Sequence, residues 1–481
     1  GLVEGHASSK ERIKTGIEHL KDLGITHVQL LPAFDYYSID EDNLNKPQYN
    51  WGYDPLNYNV PEGSYSSNPY KAEVRIKEFK EMIKTFHEYD IGVILDVAYN
   101  HTALTEKSNF NLEIPNYYYR QKEDGTFSDA SACGNEVASE RAMTRKFIVE
   151  SVSHWAKEYH IDGFRFDLMG ILDIHTMNEV SSTLNGINPN IIIYGEGWLA
   201  ADSPLAIEDR ATKQNMSRIP KVAAFGDELR DGLKGSVFKT KNTGFVNGSK
   251  NVDNSIKFGI VGGIEHPEVN YGEVNYSKTA WAQEPWQHVS YVSCHDNHTL
   301  FDKLKLSKPA ASAEDIIAMH KLAHAIVITS QGVTFLHSGS EMLRTKNFEE
   351  NSYNLSDSIN QIDWSRKKQY YDVFEYQKNL IQLRKSHPAF RMVSANVIRN
   401  NLRFELSKNG LISYTLNNHT NNDTWKKVLV IYNANKKTIN YKLKETWKLA
   451  VISDTFDMNG TKTIKENVEI PPISMLIAFQ K

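Results

Sequence analysis

"GFRFDL", residues 163–168, sets an arginine and an aspartate inside a segment that otherwise has the apolar density of a buried strand. A charge buried without a partner costs several kcal/mol, so Arg165 and Asp167 require partners or a use. Residues two apart on a strand share a face, which places both side chains on one side of this segment.

The neighbouring sequence gives the strand its context. Ile13, Ile17, Leu20 and Leu23 recur at helical spacing and end at Gly24, where "THVQLLP" begins. "EFKEMIKTFHEYD" precedes the continuously apolar "GVILDVAYNH", "FIVESVSHWAKEYH" precedes "GFRFDL", and "LDIHTMNEVSSTL" precedes "IIIYGEGW". "KVAAFGD" and "HVSYVSCHD" follow, and "AMHKLAHAIVITS" leads into "GVTFLHSGSE". Strands that are apolar on both faces and alternate with helices imply parallel pairing through right-handed crossovers.

Polar residues gather at the C-terminal ends of these strands: Asp96, Asn100 and His101, then Arg165 and Asp167, then Glu196, then His295 and Asp296. In an α/β fold of the (β/α)8 TIM-barrel type all such ends face one mouth, so a barrel is expected over residues 1–392. Seven strand candidates are counted where eight close a barrel. The first strand is therefore expected upstream of Gly1, or removed, or replaced by another segment. From residue 393 to 481 the pattern changes to short alternating runs divided by Asn, Gly and Lys turns, which predicts a C-terminal antiparallel β-sandwich.

The chain of 481 residues carries a formal charge of -4 without a long basic run, which argues against a nucleic acid or an anionic membrane as partner. Its two cysteines, Cys133 and Cys294, read as ordinary thiols rather than a disulfide framework. No apolar run is long enough to span a bilayer, and "GLVEGHASSKERIK" holds no signal-peptide core. That start leans cytoplasmic, while secretion stays open to a signal carried upstream.

Convergence of strand ends gives the carboxylates a chemistry. One held beside a guanidinium stays ionised and can attack, while one in a less polar setting keeps its proton and can act as an acid. Retaining glycoside cleavage needs such a pair, roughly 5 to 5.5 Å apart. Asp167 is the expected nucleophile and Glu196 the expected acid/base. Asp296, His295 and His101 suit the fixing of sugar hydroxyls around a cationic transition state.

The strings "DVAYNH", "GFRFDL", "YGEGW" and "VSCHDN", in this order, resemble the four strand-end motifs of the alpha-amylase superfamily of glycoside hydrolases. Within it, "YNWGYDP" at residues 49–55 resembles the signature of type I pullulanases, and "SCHDNHTL", "FLHSGSEMLRTK" and "NSYNLSDSINQIDW" resemble further segments of that family. The resemblance implies retaining hydrolysis of α-1,6-glucosidic branch linkages in pullulan, amylopectin and glycogen-type α-glucans. It implies Asp167 as nucleophile, Glu196 as acid/base and Asp296 as transition-state stabiliser, with Arg165, His101 and His295 as a polar clamp. Tyr53 then corresponds to an aromatic platform beneath the sugar, Trp51 and Asp54 shape the pocket, and Trp198 stacks on a sugar beyond the cleavage point. No organic cofactor is required and no metal ligand is assigned; calcium is allowed, since Asn100 and its neighbours resemble a calcium site of many amylases. Two other readings stay open: another superfamily enzyme (isoamylase, neopullulanase or branching enzyme), or a non-catalytic glucan-binding relative with an incomplete barrel.

Overall fold

Helix α1 (Gly16–Leu23) buries Ile17, His19 and Leu23 and stops at Gly24. There a φ of 84° lets the glycine N–H return to the Leu20 carbonyl and turn the chain into the first strand. The computed structural model describes residues 13–481. By contact these form two compact units, one running to Phe225 with Tyr353–Ser358 added, the other Gly226–Ser352 with Ile359–Lys481.

In the first unit, β1 (His27–Leu30), β2 (Gly92–Val97), β3 (Gly163–Phe166), β4 (Ile192–Gly195) and β5 (Ala223–Phe225) pair in parallel, each with its predecessor. Helices α2 (Ala72–Glu88), α3 (Ala142–Glu158) and α4 (Ile174–Ile187) supply the crossovers from β1 to β4. α2 turns Ile83 and Phe86 inward, and Phe79 meets Trp155 of α3 edge-on at 5.8 Å. The strand register does the functional work: Asp96 lies opposite Arg165, and Arg165 opposite Tyr194. Phe164 and Phe166, on the alternate positions, are fully buried. An antiparallel pair, Phe34–Tyr36 with Pro55–Pro61, carries the long excursion after β1 back to the strand ends.

The second unit contains α5 (Asp227–Lys234), the parallel strands β6 (His288–Ser290) and β7 (Val333–Thr334), and helices α6 (Leu300–Ser307), α7 (Ala313–Thr329) and α8 (Tyr371–Ser386). The seven strands expected from the sequence are thus all formed, five in one unit and two in the other.

Beyond them β8 (Leu402–Lys408), β9 (Leu411–Leu416), β10 (Lys427–Asn433), β11 (Trp447–Ile452) and β12 (Ser474–Gln480) make an antiparallel sheet ordered β8-β9-β10-β12-β11. A separate two-stranded ribbon, Ile439–Lys442 with Asn467–Ile470, shares a core with it built from Leu429, Ile431, Trp447, Leu449, Val468, Ile470 and Leu476. β10 is buried along both faces because its other side meets α7. There the Tyr432 hydroxyl bonds Thr329 Oγ1, and the Tyr414 hydroxyl donates to the Thr329 carbonyl at 3.2 Å. Among the described residues no helix is long and apolar enough to cross a membrane.

Candidate active site

Arg165 answers the question its sequence raises. Its side chain is 2% exposed and its guanidinium meets three carboxylates: Nη1 donates to Asp96 Oδ1 and to Asp167 Oδ1, both at 2.8 Å, and Nη2 lies 2.7 Å from Glu196 Oε1. The sequence spacing couples Arg165 to Asp167; the fold adds Glu196 from the next strand and Asp96 from the previous one. Arg165 therefore contacts three acids at once, which a point charge such as lysine would not do with this geometry.

The two acids proposed to react are oriented from several sides. Asp167 Oδ2 accepts from Asn100 Nδ2 at 2.7 Å, and the same amide reaches the Asp167 carbonyl at 2.9 Å. Glu196 Oε2 accepts from the Leu168 backbone N–H at 2.9 Å. Leu168 directs that N–H by adopting φ 36°, ψ 49°, a left-handed conformation costly for a leucine and of the kind that gathers at functional sites. Asp167 and Glu196 thus share one face of the first unit.

Tyr53 donates its hydroxyl to Asp96 Oδ2 at 2.9 Å, and the Arg165 guanidinium lies 5.7 Å from its ring centroid. The turn presenting it depends on Gly52: φ is 94°, and an added Cβ would stand 2.9 Å from the Pro32 carbonyl oxygen. His101 is buried, with Nδ1 against Asn100 Oδ1 and Nε2 2.6 Å from the Tyr53 carbonyl. Burial lowers its pKa, while Asp167 and the hydrogen bond to the Tyr53 carbonyl oppose the effect. Trp51 is buried, its ring 6.5 Å from those of Tyr53 and Tyr353. Asp54 has a buried Oδ1 without a hydrogen-bond partner, and burial raises its pKa. Trp198 follows Glu196 on a half-buried stretch, its ring 5.8 Å from Lys213 Nζ and its backbone packed where a side chain on Gly170 would stand.

His295 and Asp296 belong to the second unit, in the loop after β6. Their side chains approach to 3.6 Å, and Asp296 is 43% exposed. Lys346 Nζ donates to the His295 carbonyl at 2.9 Å and fixes the loop. Among the described residues two groups bring three metal-type ligand atoms together: Cys294, His295 and Asp296, and Asp35, Glu41 and Glu62. In the second group Arg75 already pairs with Glu41 and lies 3.7 Å from Asp35.

The site also holds Gln29 and the Leu168 N–H, to which the sequence reading gave no role, and Asp96 and Asn100, which it placed at the strand ends without a part in catalysis or sugar binding. Gln29 carried a usable signal, being a polar side chain that interrupts the apolar "VQLL" just as Arg165 interrupts "GFRF".

Parallel βα strands with acids at their C-terminal ends, followed by an antiparallel β domain, define the architecture of the alpha-amylase superfamily. Residues 398–455 match the family described as "Pullulanase, all-beta domain". The pullulanase of Bacillus subtilis (strain 168) is 39% identical over 481 residues, covering 99% of this chain and 65% of its own. The crystal structure of pullulanase from Paenibacillus barengoltzii in complex with maltohexaose and alpha-cyclodextrin aligns with a TM-score of 0.92 at 43% identity, over 100% of this chain and 73% of that one. The crystal structure of pullulanase type I from Bacillus subtilis str. 168 complexed with maltose gives 0.94 at 38% identity, over 100% and 66%. The chain belongs to the pullulanase family. It spans just under two thirds of the length of the Bacillus subtilis protein.

Proposed function

We propose that this chain is a retaining glycoside hydrolase that cleaves α-1,6-glucosidic branch linkages in pullulan, amylopectin and glycogen-type α-glucans. The observation that carries the reading is the single guanidinium of Arg165 holding Asp167 at 2.8 Å and Glu196 at 2.7 Å. Two acids gathered so closely on one face suit double displacement at one anomeric carbon.

Asp167, held by Arg165 and Asn100, attacks the anomeric carbon while Glu196 gives a proton to the departing O6, and a glucosyl ester forms on Asp167. Glu196 then removes a proton from water, which attacks the same carbon, and the ester breaks with overall retention. Glu196 is 9% exposed at its side chain and shares the Arg165 guanidinium with Asp167, so the two acids are not set apart by one being beside the arginine and the other away from it. His101 and the Tyr53 ring suit a sugar with polar edges and an apolar face. Asp296 and His295 enter on the strength of "VSCHDN", Asp296 as the third carboxylate. Trp51 and Asp54 shape the pocket and Trp198 offers a stacking surface. No organic cofactor is needed.

Incubation of this chain with pullulan tests the proposal. Maltotriose is the expected product, because it requires α-1,6 cleavage. Panose would reassign the linkage to α-1,4, and absence of any product would remove the catalytic reading in favour of a glucan-binding one.

A further inference from the structure

Behind the two acids lies a fully buried third, Asp96 at the end of β2, which meets no solvent and acts only through what touches it. Its Oδ1 accepts from Arg165 Nη1 at 2.8 Å. Its Oδ2 accepts from the Tyr53 hydroxyl at 2.9 Å and from Gln29 Nε2 at 3.0 Å. The other end of the Gln29 amide, Oε1, accepts from the Tyr194 hydroxyl at 2.5 Å. Tyr194 lies opposite Arg165 in the strand register and two residues before Glu196.

The direction of each bond follows from chemistry. An ionised carboxylate only accepts, so Asp96 obliges Gln29 to present its NH2 group, which leaves the amide oxygen to Tyr194 and obliges that hydroxyl to donate. A continuous donor chain, Tyr194 to Gln29 to Asp96, therefore crosses from β4 through β1 to β2 and ends on the acid that anchors Arg165.

We propose that Gln29 is a positioning residue that keeps Asp96 ionised, and thereby keeps Arg165 shared among Asp96, Asp167 and Glu196. The inference rests on the reading of Asp167 and Glu196 as the reacting pair. Asp96 is poised to titrate: burial pushes its carboxyl up to about 7, against Arg165, while Asp167 raises it and the Tyr53 hydroxyl lowers it. The groups facing it are Arg165 and Asp167 from β3 and its end, Tyr53 from the "YNWGYDP" loop and Tyr194 from β4, with Glu196 linked through Arg165. A protonated Asp96 ceases to balance the guanidinium, whose remaining charge then falls on Asp167 and Glu196 alone. Gln29 adds a donor for the charged form and has no charge of its own at any pH, so its removal is read without interference from its own titration.

The test uses Gln29→Met, close in volume and without a donor, and Tyr194→Phe, which leaves Gln29 in place but frees its amide to turn. The Asp96 carboxyl is followed by 13C NMR against pH, its resonance assigned with Asp96→Asn, and the pH profile of kcat/KM on pullulan is recorded beside it. The midpoint of Asp96 is expected to rise by about one unit in Gln29→Met and by less in Tyr194→Phe, because each loses support for the anion. The acid limb of the profile is expected to rise with it, with activity regained on the alkaline side. An unchanged midpoint overturns the proposal, as does a shifted midpoint with an unmoved acid limb. If Gln29→Met fails to fold, Tyr194→Phe decides alone on the same two readouts. A wild-type chain that leaves pullulan intact refutes the assigned activity, whereas the NMR shift still supports the coupling of Gln29 to Asp96.

Discussion

Arg165 has more acidic neighbours than it can balance, since one positive charge faces Asp96, Asp167 and Glu196. The excess suits the proposed stabilisation of a cationic transition state, and it separates the substitutions at these positions. Asp167→Asn and Glu196→Gln keep shape and volume but remove attack and proton transfer. Each is expected to lower kcat on pullulan by about four orders of magnitude or more, measured as reducing ends released. Tyr53→Phe keeps the ring and deletes only the hydroxyl on Asp96, worth about 1 kcal/mol or roughly a fivefold to tenfold loss in kcat/KM. Tyr53→Ala, which also deletes the ring proposed to face the sugar, is expected to lose much more. The identity of these acids was legible in the sequence because strand-end polar residues stand out against apolar runs. Their sharing of Arg165 was not, because spacing along one strand shows that Arg165 and Asp167 share a face but cannot say which neighbouring side chains complete the cluster.

Elements were legible where period and burial agree. β2 and β3 are buried along nearly their whole length and read as apolar runs. The Ile439–Lys442 ribbon, half-exposed and only four residues long, gave a weaker signal because only alternate residues reach the core. Nor could sequence reveal how α8 is tied down. Arg384 of α8 is buried and Nη1 donates to the carbonyls of Ile328, Ser330 and Phe390 at 2.9, 2.6 and 2.7 Å, while Nη2 donates to Gly332 at 2.6 Å. Those carbonyls lie at the end of α7, in the turn into β7 and beyond α8, so one side chain closes a junction that lacks regular backbone pairing. Burial and the nearby Arg391 bring its pKa down to about 9. Arg384→Met is expected to leave four carbonyls without this donor and to destabilise the chain by about 3 kcal/mol, read as a lower denaturation midpoint. Arg384→Lys is expected to recover little of it, because an ammonium cannot span the same set of oxygens.

Acidification acts on the two units with opposite sign. The second unit buries His320, His324 and His337, and also holds His266 and His298 with lowered pKa values; burial is the leading cause in every case, with His324 brought down to about 4. A histidine whose folded pKa lies below its unfolded value of about 6.5 binds its proton more readily in the unfolded chain. Its contribution is intact above that value and declines as pH falls toward the folded pKa, by up to about 1.4 kcal/mol per pH unit. The first unit carries Asp35, Asp54, Glu62 and Asp96 with pKa values raised by burial. These bind protons more readily when folded, so lowering the pH from 7 toward the unfolded carboxylate range stabilises that unit, offset in part by His27 and His101. Hydrogen exchange followed by peptide at pH 7 and pH 5, corrected for intrinsic rates, should show protection lost in residues 226–352 and 359–481 and retained or increased in residues 13–225. His324→Gln should flatten the loss in α7 and its neighbours, since glutamine has no proton to take up on unfolding. Equal loss of protection in both units would mean that the buried histidines of the second do not govern its acid stability.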